Sequence, residues 1–135
     1  MRVLLDSSAW LAHLFAEPGV EQINDLFDDP QNEINISALS IVEVYGRLKA
    51  MGRQAHWAEV WQTYSGLFDK VLAVDAEIAQ QAVVLREATP HRLPAIDALI
   101  AATAVAHHLS LVHRDPHFAA IPGSLLSQIT LPEKS

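Results

Sequence analysis

Apolar positions along the chain switch repeatedly between short continuous runs and a 3.6-residue period, and each switch marks a change of element. Val3-Leu4-Leu5 is a short run ended by Asp6-Ser7-Ser8, after which Trp10, Leu11, Leu14 and Phe15 recur at helical spacing until Glu17-Pro18-Gly19 stops them. A strand and then a helix are predicted. Val20, Ile23, Leu26 and Phe27 predict a second helix, closed by Asp28-Asp29-Pro30. Residues 33–36 alternate as a strand does, and Ser37 follows as an N-cap. Leu39, Ile41, Val42, Tyr45 and Leu48 then predict a helix over 38–51 ending at Gly52, followed by another over 54–68. A third strand is expected at 70–74. Asp75 caps a helix over 76–88, and Pro94 opens an alanine-rich helix over 95–106 whose small side chains suit close packing on a sheet. Residues 109–112 read as a fourth strand and 127–131 as a weak fifth.

Strands alternating with helices predict an α/β fold with three layers, α/β/α, around a mainly parallel central sheet of four or five strands joined by right-handed crossovers. The 135 residues fit one domain, 1–135, with one core. In such sheets ligands bind beyond the carboxyl ends of the strands. That rule selects Asp6 and Asp115 from the 16 acidic residues, because each follows an apolar strand.

Composition narrows the chemistry. With no cysteine, thiolate zinc sites, disulfides and cysteine nucleophiles are excluded, so any metal is held by oxygen or imidazole. A net charge of −7 gives no general attraction to nucleic acid or an anionic membrane, which leaves that task to local patches. The carboxylate at position 6 interrupts any secretory signal, and no run reaches the ~18 apolar residues that cross a bilayer; a cytoplasmic location is expected.

Each candidate carboxylate has a plain structural explanation to set against function. Asp6 before Ser7-Ser8 makes a good N-cap, worth about 1 kcal/mol, and Asp115 before Pro116 is a cap followed by a first-turn proline. Glu43 sits among Ile41, Val42, Val44 and Tyr45, so an apolar neighbourhood is expected, and its i,i+4 partner Arg47 offers only ~0.2–0.5 kcal/mol. Asp97 is surrounded at helical spacing by Leu93, Pro94, Ile100 and Ala101 with no cation on its own helix. The helix N-terminus beside it contributes 0.3–1 kcal/mol, about an order of magnitude short of offsetting a buried charge, so a partner from elsewhere in the fold is required. Asp75 is fully explained as a cap. Two such carboxylates ~4 Å apart repel by about 4 kcal/mol at an effective dielectric of 20, and a divalent cation reverses the sign of that interaction.

The segments Val3-Leu4-Leu5-Asp6-Ser7-Ser8, Ser37-Ala38-Leu39-Ser40-Ile41-Val42-Glu43-Val44, Asp97-Ala98-Leu99-Ile100-Ala101-Ala102-Thr103-Ala104 and Val112-His113-Arg114-Asp115-Pro116-His117-Phe118 are together similar to the PIN-domain ribonucleases, and among them to the VapC-like toxins of toxin–antitoxin systems. The resemblance implies a PIN-like fold and an acidic metal site of Asp6, Glu43, Asp97 and Asp115 holding Mg²⁺ or Mn²⁺, with Ser8 and His113 behind it. It further implies an endoribonuclease that hydrolyses RNA phosphodiester bonds with a metal-activated water, leaving a 5′-phosphate and a 3′-hydroxyl. An antitoxin protein partner and a homodimer follow from the same likeness. His113 departs from the family, which commonly has threonine or serine there; a titratable ring at that place bears on metal preference and pH dependence.

Arg47, Lys49, Arg92 and Arg114 are the candidate RNA contacts, each equally explicable as a surface charge. A zinc site from His113 and His117 is disfavoured, since one ends a strand and the other enters a helix. Trp57, Trp61 and Tyr64 share a helical stripe, expected to be core or a dimer surface rather than a base-stacking platform. Two functions of other classes compete: a catalytically inactive PIN fold that binds protein or RNA, and an aspartyl-phosphate receiver using Asp6 or Asp115. The second lacks a lysine at a later strand end.

Overall fold

The computed structural model describes residues 1–134. Its elements follow the order β1 (Arg2–Leu5), α1 (Ser7–Leu14), α2 (Val20–Asp28), β2 (Glu33–Ser37), α3 (Ala38–Ala50), α4 (Trp57–Ser65), β3 (Lys70–Leu72), α5 (Ala76–Ala88), α6 (Ala95–Ala106), β4 (Ser110–His113), α7 (Pro116–Ala119) and β5 (Gln128–Thr130). The five strands form one sheet in the order β3-β2-β1-β4-β5, and every neighbouring pair is parallel. β1 lies at the centre, with Leu4 opposite Asn35 of β2 on one side and Leu111 of β4 on the other.

Side chains leave β1 on alternate faces. Leu4 joins Leu111, Phe118, Ile78, Leu85 and the buried alanines of α6 in one core cluster, while Val3 and Leu5 join Trp10, Ile23, Ile36, Val44 and Val112 in the other. Helices α5 and α6 thus cover one face and α1 to α4 the other, the three-layer arrangement that parallel strands require. Ala98, Ala101, Ala102 and Ala104 are fully buried, so α6 lies close on the sheet as its composition predicts.

Three expectations are revised. β2 does not alternate: Ile34, Asn35, Ile36 and Ser37 are all buried, because β2 lies between β1 and β3 with helices on both faces. Asn35 is satisfied in part, donating from Nδ2 to Val3 O and to Glu33. The helix expected over 54–68 is a 3-10 turn at Gln54–His56 followed by the shorter α4. On α3 the buried line is Ser40, Val44 and Leu48, whereas Val42 and Tyr45 are exposed. The stripe of α4 is core: Trp57, Trp61 and Tyr64 pack around the fully buried Trp10 with ring centroids 5.4–6.3 Å away.

Asp75 Oδ1 accepts from the amide of Ile78 at 2.9 Å, as its capping role requires. Asp75→Ala is expected to cost about 1 kcal/mol in urea denaturation.

Candidate metal centre at the carboxyl rim of the sheet

Because the strands are parallel, β1 and β4 end on the same rim and deliver Asp6 and Asp115 there. Asp6 continues the ladder, its amide donating to Val112 O at 3.0 Å, and then caps α1. The amide of Ala9 (2.8 Å) and the hydroxyl of Ser8 (2.7 Å) both donate to Asp6 Oδ1. Oδ2 has no protein hydrogen bond among the described residues. Ser8 Oγ in turn accepts from the backbone N–H of Arg114 at 3.0 Å, joining the end of β4 to the start of α1. Capping and a place in the site are therefore compatible: one oxygen serves the helix and the other is left open.

Asp97 lies in the first turn of α6, its side chain 18% exposed, and the partner it needs comes from α7. His117 Nδ1 stands 3.4 Å from Asp97 Oδ2 and 3.0 Å from Asp115 Oδ1. Asp97, Asp115 and His117 each offer a ligand atom within 4.8 Å of the other two. Asp115 also caps α7, its Oδ1 accepting from the amide of His117 at 2.9 Å.

The electrostatics of the site follow from crowding. Burial pushes Asp6 up to about 7; the Ser8 and Ala9 hydrogen bonds oppose this, and the charges of Asp115 and Asp97 add to it. Asp97 is pushed up to about 6, first by burial and then by Asp115, against the relief given by His117, with Glu43 contributing a further push. Acids that resist ionising for want of compensating charge suit a cation.

Glu43 corrects an expectation. It is exposed on α3 rather than set in apolar surroundings, because its neighbours Val42 and Tyr45 also face outward. No ion pair joins it to Arg47 among the described residues; its Oε1 instead accepts from Ser7 Oγ at 2.5 Å. It stands outside the tight group of Asp97, Asp115 and His117, yet near enough for its charge to act on Asp97.

His113 has no exposed surface. Its Nδ1 accepts from the amide of Asp115 at 3.2 Å, which assigns the proton to Nε2, the atom that donates to Gln128 Oε1 at 2.8 Å. Burial lowers its pKa, so the ring is neutral at physiological pH. It fixes the backbone from which Asp115 projects and does not point at the carboxylates as a charge.

Arg114 is withdrawn from the nucleic-acid contacts. Its guanidinium is 2.8 Å from Glu17 and donates to Pro18 O, with only 10% of the side chain exposed. Arg114→Gln is expected to lower stability in urea denaturation by about 1–2 kcal/mol, from loss of a charge-assisted hydrogen bond. Arg47, Lys49 and Arg92 are exposed and free to meet a phosphate.

A cleft of about 460 Å³ between α1, α3 and α4 contains none of the four carboxylates. A second, more enclosed one of about 400 Å³ reaches Asp115 from the side of β5. Sequence reasoning passed over His117, Ser7 and Ser40. The zinc pairing of His117 with His113 points away from the carboxylates, whereas Asp-Pro-His at a strand-to-helix turn is the usable signal, since a capping aspartate brings the residue two further on back beside it.

The fold and the rim define an α/β protein with an acidic cluster at the carboxyl ends of its parallel strands. The model of the PIN domain matches residues 3–124, and the chain belongs to that family. Among solved structures it is similar to a chain of a toxin–antitoxin complex from Klebsiella pneumoniae, with 28% identity over 97% of this chain and 98% of that one and a TM-score of 0.68. A chain of VapBC2 from Rickettsia felis, bound to a DNA fragment from its promoter, matches with a TM-score of 0.79 at 18% identity, covering 98% and 100%. VapBC-5 from Mycobacterium tuberculosis gives a TM-score of 0.69 at 21% identity, covering 96% and 98%. No curated protein sequence matches the chain.

Proposed function

We propose that this PIN domain is a metal-dependent endoribonuclease and the toxin of a toxin–antitoxin pair. The observation that carries the reading is the convergence of Asp6, Asp97 and Asp115 at one rim, with Asp6 and Asp97 held well above the usual carboxylate range. Stability alone does not assemble such a group.

The donor set is oxygen-rich with one imidazole nearby, which fits Mg²⁺ or Mn²⁺. Asp6, Asp97, Asp115 and Glu43 would hold the ion. When bound, it would supply an acidified water and neutralise charge on the scissile phosphate. The chain's own residues do the rest. Asp6 keeps Oδ2 open because Ser8 and Ala9 both bind Oδ1. His113 fixes the amide of Asp115. Arg47 and Arg92 are placed on the surface to bind flanking phosphates, offsetting locally a chain that is acidic overall. In the hydrolysis a water oxygen bonds to phosphorus, the bond to the 3′ oxygen breaks, and a proton ends on that oxygen, giving a 5′-phosphate and a 3′-hydroxyl.

An antitoxin covering the carboxylates and a homodimer complete the reading, with action in the cytoplasm. The toxin–antitoxin complexes similar to this chain support the first of these. Exposed Val83 and Val84 on α5 support a further protein contact. Among the described residues no helix is long and apolar enough to cross a membrane.

The test is incubation of the purified chain with a mixed RNA pool and Mg²⁺ or Mn²⁺, followed by sequencing of 5′-phosphate ends. Discrete ends that vanish with EDTA are expected. Metal binding without cleavage of any RNA would replace the reading with that of a binding module.

A further inference from the structure

Beside the carboxylates lies a chain of two hydroxyls that the proposed chemistry leaves unused. Ser7 Oγ, at the start of α1, is 2.9 Å from Ser40 Oγ and 2.5 Å from Glu43 Oε1, both on α3. Ser7 Oγ is the donor toward both, and its single proton serves Ser40 Oγ or Glu43 Oε1 in turn, so it links the two residues of α3. Neither serine is needed by its helix: Asp6 caps α1 and Ser37 caps α3. Ser40 has no exposed surface, and a buried serine inside a helix ordinarily bonds a carbonyl of its own preceding turn. Here its hydroxyl reaches across to another helix.

We infer that Ser40 and Ser7 are positioning residues that hold the exposed side chain of Glu43 in the orientation needed to join the metal-holding group. Without them Glu43 is a long side chain on a solvent-facing helix surface, free to sample several rotamers. With them, its carboxylate is tied to the residue that immediately follows Asp6. The anchor is the buried hydroxyl of Ser40, and Ser7 passes the constraint outward. This rests on the reading of Glu43 as part of the metal-holding group.

The test measures Mn²⁺ affinity, from the free-ion electron paramagnetic resonance signal, together with kcat and KM for RNA and the metal-free Tm. Ser7→Ala is expected to weaken Mn²⁺ about tenfold, the lower end of what outer groups around a metal contribute, and to lower kcat with little change in KM or Tm. Ser40→Ala moves the same way by less, and Ser7→Thr, which keeps the hydroxyl, restores parent behaviour. Because the serines act through Glu43, the double variant Ser7→Ala/Glu43→Gln binds Mn²⁺ no more weakly than Glu43→Gln alone. Parent affinity in Ser7→Ala beside weakened affinity in Glu43→Gln overturns the positioning role and leaves the metal site standing. Parent affinity in Glu43→Gln overturns the positioning role together with the reading of Glu43 as a metal-holding residue.

Discussion

Asp97→Asn is expected to reduce RNA cleavage to below about one hundredth of the parent rate while making the metal-free protein more stable, by about 1–3 kcal/mol at pH 8. The two effects share one cause. Asp97 ionises only near pH 6 because it is largely buried and faces Asp115, with His117 giving incomplete relief. Asparagine removes the charge and keeps the shape, so the metal-free fold loses a repulsion at the moment the site loses a ligand. Outer groups around metals are commonly worth 10–100-fold, and a residue proposed to hold the ion itself should be worth at least as much. Urea denaturation in EDTA and initial rates in Mn²⁺ check the two halves separately. A variant that cleaves normally removes Asp97 from the chemistry; one that is inactive and also destabilised shows that its role is in the fold.

The second expectation concerns pH. Asp6 and Asp97 have folded pKa values of about 7 and about 6 against an ordinary value of 3.8. Between those limits the native state binds more protons than the unfolded chain, so stability falls as pH rises. Their favourable contribution is complete below about pH 4 and lost as pH passes through 6 to 7, a change on the order of 4–7 kcal/mol for the coupled pair. His13 and His113, whose pKa values burial lowers, act oppositely, contributing stability above their ordinary 6.5 that is lost as pH falls. Comparing the parent with Asp6→Asn and Asp97→Asn from pH 5 to 8 isolates the acids: the stability gained by each variant should grow with pH. Adding Mg²⁺ should flatten the fall, because an ion that binds ionised carboxylates stabilises the native state most where they are ionised. A parent profile parallel to both variants would show that the two acids are not strained.

The sequence makes Asp6 and Asp115 legible because a short apolar run followed by a carboxylate is a one-dimensional signature of a strand end, and parallel order puts such ends together. Asp97 is legible by contrast with its alanine-rich surroundings. Glu43 is chosen for a reason the structure does not support: local apolar neighbours do not report which way a helix faces, and on α3 the buried line runs through Ser40, Val44 and Leu48. Arg114 shows the same limit for charge, since its pairing with Glu17 joins residues distant in sequence. The 3-10 turn before α4 carries no glycine or proline to announce it, and periodicity runs through it unchanged. Side-chain networks such as Ser40-Ser7-Glu43 depend on how two helices meet, which no spacing within either one encodes.

The central place of β1 also sets an order of events. β1 needs a neighbour on each side, and one of them, β4, follows it in the chain only after α6. The hydrogen bond from the Arg114 amide to Ser8 Oγ spans 106 residues. Contacts of such separation form late, after most of the loop-closure entropy has been met. A nascent chain that has reached α6 therefore holds Asp6, Glu43 and Asp97 but lacks both β4 and Asp115, the strand and the acid that close the rim. Until β4 docks, the central strand keeps one unpaired edge and the rim stays open.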